Sequence, residues 1–181
     1  REDAITAVVE EAGTVSVPLT DEQRLLLDGL TAWANSAKSR PDSKASAILA
    51  WLDNHIRPGG KWSDERVILF TEYRATHGWL YEILTQHGYG SERLMELHGG
   101  LDPDERAKVT AAFQASPAES KVRILLATDA ASEGIDLQNH CRYLIHVEIP
   151  WNPNVMEQRN GRIDRHGQKQ SPVIWHPVGS A

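Results

Sequence analysis

VRILLATDAASEGIDLQ (122–138), RYLIHVEIPWNP (142–153) and MEQRNGRIDRHGQ (156–168) make up the stretch whose reading decides the fold. Val122 to Ala127 and Arg142 to Val147 are short apolar runs carrying β-branched residues. Such runs suit parallel strands covered on both faces. Each is followed by a polar, sharply turning segment. Thr128, Asp129, Ser132, Glu133, Gly134 and Asp136 crowd behind the first run; Gln158, Arg159, Arg162 and Arg165 follow the second, beyond Pro150 and Pro153. Ligands of open α/β sheets bind at the carboxyl ends of the strands, so the chemistry is expected in these two segments.

The pattern continues outward. Upstream, Arg66 to Thr71 (RVILFT) reads as a central strand, followed by Glu72, Tyr73, Arg74 and a helix with Trp79, Leu80, Ile83 and Leu84 inward, closed by Gly88. Glu92 to Leu97 reads as another strand, ending at His98-Gly99-Gly100. Adjacent glycines there admit two readings, a close backbone approach to a phosphate or a simple tight turn. Asp102-Pro103 starts a helix with proline at its first position, running through Val109, Ala112 and Phe113 to Ser116-Pro117. A turn and short helix are expected around 129 to 134. Downstream come a helix from about 153 to 161 and a last strand near Val173 to His176. Strand and helix alternating at these lengths predict right-handed βαβ units, a parallel sheet and the α/β class.

Residues 1 to 18 show no sustained period. Thr20-Asp21-Glu22-Gln23 is a capping box, and Leu26, Leu30, Trp33 and Ala37 recur at helical spacing, predicting a helix over 20–38. Arg40-Pro41-Asp42-Ser43 breaks it and caps a second helix, whose Ala45, Ile48, Leu49, Leu52 and Ile56 share one face. Stripes of this kind serve a partner helix or plain packing, the second use being the commoner. With Pro58-Gly59-Gly60 as a loop signal, the expected organisation is an arm and two amphipathic helices over 1–57, then one α/β domain over 58–181.

Composition bounds the function. The chain is 40% apolar and 24% charged, an ordinary globular balance, and its formal charge of −6 argues against whole-surface attraction to nucleic acid or an anionic membrane. It leaves room for a local basic strip, and Arg159, Arg162, Arg165 and Lys169 set against Asp164 form one. The single cysteine, Cys141, excludes an internal disulfide framework and fits a reducing cytoplasm; a structural thiol at a strand entry is its expected role. No apolar run approaches the roughly 20 residues of a membrane helix. The chain starts at Arg1 without a methionine, so a fragment of a longer protein is expected. The eight histidines show no metal-ligand spacing, His140 and His146 falling at the ends of one strand. Trp151 is expected to wedge the loop before the helix at 153, and Tyr73 to pack.

Arg162 and Arg165, three apart at a helix exit, can face the same way. Two permanently charged forks converging on one point suit a phosphate whose charge grows during transfer. On periodicity alone an exposed salt-bridge face would be the better account of them.

The complete wording adds to this. ATDAASEGIDLQ followed by QRNGRIDRHGQ resembles motifs V and VI of the superfamily-two helicases and translocases. ILFTEY (68–73) is similar to their motif IV strand, and LHGG (97–100) to the adjoining nucleic-acid-contacting turn. RIDRHGQ and the segment Asp42-Ser43-Lys44 resemble the Swi/Snf-type branch, in particular its bacterial members. That branch usually reads QAxDRxxRIGQ, whereas here Asn160-Gly161 precedes Arg162 and His166 replaces the isoleucine. The resemblance implies the second RecA-like lobe of such an ATPase, a parallel sheet with helices on both faces.

It implies roles as well. Arg162 and Arg165 match the motif VI arginines that reach the γ-phosphate, and Gln158 the residue that begins the motif. Gly134 and Asp136 match motif V positions on the nucleotide side of the cleft. Thr128 and Ser132 match hydroxyl-bearing positions near the nucleic-acid backbone, and Thr71, His98 and Gly99 match the other backbone-contacting loops. The implied cofactor is ATP with Mg, held mainly by a first lobe. The implied partners are that N-terminal RecA-like lobe and nucleic acid, with double-stranded DNA the expected track.

A phosphate-cradling GxxxxGK[ST] loop is missing: Gly60-Lys61 is followed by Trp62 and has His55 where the first glycine should stand. Asp64-Glu65 and Asp104-Glu105 follow no apolar strand, as a metal-binding acidic pair should. The lobe is therefore expected to contribute fingers and part of the track, and not to hydrolyse ATP alone. The competing class is a non-catalytic docking module that has kept the fold. An unrelated doubly wound domain is disfavoured by four ordered motifs and the lack of a GxGxxG fingerprint.

Overall fold

A computed structural model describes residues 18–129 and 135–179. The chain falls into two units, Arg1–Arg40 and Pro41–Ala181. In the first, α1 (Asp21–Lys38) begins at the expected capping box: the Thr20 hydroxyl accepts the Gln23 N–H at 3.3 Å and the Gln23 side chain accepts the Thr20 N–H at 3.0 Å. The helix buries none of its side chains.

The second unit is a five-stranded, all-parallel sheet with helices, the RecA-like fold. Its elements are α2 (Ser43–His55), β1 (Val67–Thr71), α3 (Arg74–Gln86), β2 (Leu94–Leu97), α4 (Pro103–Gln114), β3 (Ile124–Thr128), β4 (Tyr143–His146), α5 (Pro153–Asn160) and β5 (Val173–Trp175). The strand order is β2-β3-β1-β4-β5. In register, Thr71 lies opposite Thr128 and Phe70 opposite His146, which brings the exits of β3, β1 and β4 to one edge.

The strands read as unbroken apolar runs because both faces are covered. Val67 and Leu69 point with Ile124, Leu126 and Ile145 into a layer completed by α2 and α3. Ile68 and Phe70 point with Leu125, Ala127 and Leu144 into the opposite layer, with Phe113 of α4 and Ile135, Leu137 and Ile163 from the segments after β3 and α5. Each fully buried side chain of this kind contributes roughly 1.5–3 kcal/mol.

The stripe Ala45, Ile48, Leu49, Leu52, Ile56 is plain core, the commoner of its two readings, and α2, expected in the 1–57 segment, packs within the sheet unit that runs from Pro41. The reason is that α2 supplies cover that one face of the sheet otherwise lacks. Residues 1–17, and 130–134 of the expected turn and short helix, lie outside the described residues.

At the amino-terminal edge, Arg66 is fully buried, and its guanidinium donates to the carbonyls of Val122 (3.0 Å), Ala115 (2.6 Å) and Phe113. It thereby caps the carboxyl end of α4, where carbonyls lack partners. Burial, with Arg123 nearby, pulls its pKa down to about 10, so it stays charged at neutral pH. Cys141 is buried beside it, its thiol donating weakly to the Arg66 and Tyr143 carbonyls, and burial pushes its pKa up to about 12. That is an inert structural thiol, as expected. No helix among the described residues is long and apolar enough to cross a membrane.

Candidate nucleotide and nucleic-acid edge

Every sequence-predicted site residue within the described part of the chain lies at or just beyond a strand's carboxyl end, in α5 (Gln158) or in the segment following α5. Ser132 and Gly134 lie outside the described residues.

Thr71 ends β1 and is fully buried; its hydroxyl meets Nδ1 of His77 at 3.1 Å. His77, in the first turns of α3, donates through Nε2 to Glu96 at 3.0 Å. Burial holds the His77 pKa below its ordinary value, so the ring is neutral, with Nδ1 left to accept the Thr71 hydroxyl. The Thr71 hydroxyl is thus taken up within the fold, supporting from beneath the loop to which it was assigned. His98 stands edge-on to His77, ring centroids 5.6 Å apart, and its Nδ1 accepts the Gly100 N–H at 3.1 Å. A Cβ at Gly100 would meet the His98 ring at 3.2 Å, so a larger residue there would push that ring by a few tenths of an ångström. Gly99 is different: it is exposed, and a Cβ there would meet nothing within 4 Å.

Thr128 ends β3 half-buried. The following segment returns at Ile135, where buried Ile135 and Leu137 turn Asp136 outward, its side chain half exposed. The Leu137 N–H donates to the Arg162 carbonyl at 3.3 Å, joining this segment to the exit of α5. Asp136 also forms an ion pair with Arg165.

α5 starts at Asn152, whose side chain accepts the Asn154 N–H at 3.0 Å, with Pro153 at its first position. It ends at Asn160, and Gly161 continues into a turn in which Arg162 donates to the Arg159 carbonyl. Gln158 is exposed. Fully buried Ile163 anchors the turn, leaving Arg162 half-buried on one side and Arg165 about half exposed on the other. Nε of Arg162 is buried without a hydrogen-bond partner, a costly arrangement unless something else answers it.

Arg159 departs from its expected place in a basic surface strip. Only 2% exposed, it grips both oxygens of Asp129 at 2.6 and 2.8 Å, donates to the Glu148 carbonyl at 2.9 Å and lies over the Phe70 ring. His146, also buried, accepts weakly from it at Nδ1 and donates to Asn160 at 2.9 Å; burial lowers its pKa, so it too is neutral. The pairs His77–Glu96 and Asp129–Arg159 went unrecognised in the sequence. The second had a signal: an acid directly after a strand and an arginine directly after Gln158.

Trp151 is also corrected: it is 95% exposed and wedges nothing, while Tyr73 is half exposed rather than packed. No group of histidine, cysteine and acidic residues able to hold a metal occurs among the described residues.

Comparison with known proteins agrees with this arrangement. An uncharacterized ATP-dependent helicase, YqhH of Bacillus subtilis (strain 168), is 39% identical over 113 residues, 62% of this chain and 19% of that protein. A mitochondrial DEAD-box ATP-dependent RNA helicase 9 of Arabidopsis thaliana is 31% identical over 156 residues, 86% of this chain and 23% of that protein. The chain therefore spans about a fifth of the length of these relatives. The C-terminal part of the Fun30 ATPase domain shares the fold, with a TM-score of 0.64 at 20% identity, covering 75% of this chain and 40% of that one. Residues 47–167 match the helicase conserved C-terminal domain, and the chain belongs to that family of ATP-dependent helicase domains.

Proposed function

We propose that this chain is the second lobe of a Swi/Snf-type, nucleic-acid-dependent ATPase that translocates along double-stranded DNA. The observation that carries the reading is Arg162. Its buried Nε has no partner, and its fork stands at the exit of α5 beside the Asp136 segment, a cationic group awaiting an anion. The residues fit a triphosphate in the donor sense only. Arg162 and Arg165 supply forks and Gln158 an amide N–H; Asp136, an acceptor, holds Arg165 on the same side, to which Gly134 is assigned by its motif. Mg is assigned to the preceding lobe by the motif resemblance.

ATP, when bound between the lobes, supplies the phosphoryl bond that is broken. This chain's contribution is electrostatic: Arg162, joined by Arg165 once it leaves Asp136, stabilises negative charge as it grows. Thr128, His98 and Gly99, with Ser132 by its motif alone, are assigned to the nucleic-acid backbone, Gly99 being open to close approach and Thr71 acting from beneath through His77. Exposed Trp151 adds an apolar contact at the same edge. Contacts of these kinds position without reading bases, so binding should tolerate sequence and weaken as salt rises.

The test compares ATP hydrolysis by this chain alone, mixed with the preceding part of its parent protein, and covalently joined to it, with double-stranded DNA, RNA duplex or neither. Hydrolysis in the joined form only, raised most by double-stranded DNA, is expected. A joined protein that binds ATP yet stays inactive with every nucleic acid would leave a docking module. Stimulation by RNA alone would change the track.

A further inference from the structure

β2 is a four-residue edge strand paired only with β3, whereas β1 and β3 each pair on both sides. The turn that β2 leads into, His98 to Gly100, therefore has fewer ladder bonds behind it than the exits of β1 and β3. Side chains fill the gap. Residues two apart on a strand share a face. Thr71 follows Leu69, Glu96 follows Leu94 and Thr128 follows Leu126 by two, and all three leucines lie in the layer completed by α2 and α3. Three polar side chains near the carboxyl ends of three strands thus point to the α3 side. β3 stands between β1 and β2, so Thr71 and Glu96 sit on strands about 9–10 Å apart, two strand spacings.

His77 of α3 bridges that distance. Its Nδ1 takes the Thr71 hydroxyl at 3.1 Å and its Nε2 donates to Glu96 at 3.0 Å. Both nitrogens of one buried ring are committed, so the ring is fixed in orientation. His98, the first residue of the turn, leans edge-on against it with centroids 5.6 Å apart. A leucine at position 77 would serve the apolar layer; the imidazole adds a tie between strands that are not neighbours.

We propose that His77 and Glu96 are positioning residues for nucleic-acid binding: through them α3 sets the height of the His98–Gly99 turn relative to the exits of β1 and β3. The inference rests on the proposed motor function, and it concerns affinity for the track rather than the phosphoryl step. Neither side chain is assigned a contact with the ligand; both act through His98 and Gly99.

The experiment uses the joined two-lobe protein and reads affinity for double-stranded DNA at fixed salt, turnover at saturating DNA and melting temperature. His77→Leu keeps the apolar layer and removes both bonds, and it should weaken DNA binding roughly tenfold. Turnover at saturation should stay within about threefold of the parent. Glu96→Ala takes a negative charge off a face that meets a polyanion, so charge alone would tighten binding. The proposal expects the opposite sign, a loss matching that of His77→Leu. The double variant should bind no more weakly than either single one, because one tie is being cut twice. Glu96→Gln, which keeps an acceptor for the ring, should bind at least as well as the parent. Unchanged affinity in a folded His77→Leu protein would overturn the proposal, as would tighter binding by Glu96→Ala. Affinity and saturated turnover falling together with the melting temperature would make the pair purely structural and overturn it too. A parent protein that binds no nucleic acid fails before any variant is compared, and removes the motor reading together with this inference.

Discussion

Arginines gather at both ends of this sheet, and what they bond to differs. At the amino-terminal edge Arg66, Arg93, Arg123 and Arg142 each stand directly before a strand. Arg66 donates to carbonyls of α4 and the β3 approach; Arg123 holds the carbonyls of Ser63 at 2.7 Å, Ser120 at 2.7 Å and Pro117 at 3.1 Å; Arg142 takes Glu65 at 2.9 Å. At the carboxyl edge Arg159 is closed in a buried pair and Arg165 rests on a half-exposed carboxylate; Nε of Arg162 is buried with no partner, as Nη2 of Arg66 is at the opposite edge. A main-chain carbonyl is part of the fold and cannot leave. A solvent-facing carboxylate is one anion among others, and a phosphate can replace it. Arg66, held by three carbonyls, therefore belongs to the frame, whereas Arg165 can exchange its carboxylate for another anion.

The largest effect should come from the edge that holds. Arg66→Ala deletes a fully buried side chain and strands three carbonyl acceptors, so unfolding of this chain in urea should show a loss of about 3 kcal/mol or more. A loss below about 1 kcal/mol would erase the contrast between the two edges. At the other edge, Trp151→Ala removes a ring that packs against nothing. Stability should stay within about 0.5 kcal/mol while DNA affinity of the joined protein falls by about 1–3 kcal/mol, measured by salt-controlled titration.

A smaller effect concerns pH. His77 and His146 sit at the carboxyl edge with pKa values held below the ordinary 6.5, in both cases mainly by burial. As pH falls through that ordinary value the unfolded chain takes up protons first, so the stability these rings contribute is present above it and lost below. Urea midpoints should therefore drop between pH 7.5 and 5.5, and His77→Gln with His146→Gln should flatten the drop. An unchanged slope in the double variant would show that other groups carry it.

Much of this was legible from residue order, for physical reasons that can be named. Strands covered on both faces leave apolar runs without alternation, so β1, β3 and β4 were placed within a residue or two, and the caps at Thr20, Asp42 and Asp102 marked helix starts. The boundary near residue 40 was not legible, because the apolar face of α2 looks the same whether it covers its own sheet or a partner. Nor was the burial of Arg159. An arginine beside two others reads as surface charge, and only the fold brings Asp129, thirty positions earlier, onto its fork. Thr71 misled likewise: whether a strand-end hydroxyl faces a ligand or the core depends on where α3 puts His77.

The most direct test is Arg162→Ala in the joined two-lobe protein, with turnover, ATP binding and melting measured on the same preparation. The account predicts a turnover lower by on the order of 10³-fold, ATP still bound and melting little changed. An unaltered turnover would contradict it, and so would a loss of activity matched by unfolding, since Arg162 would then belong with the arginines of the opposite edge.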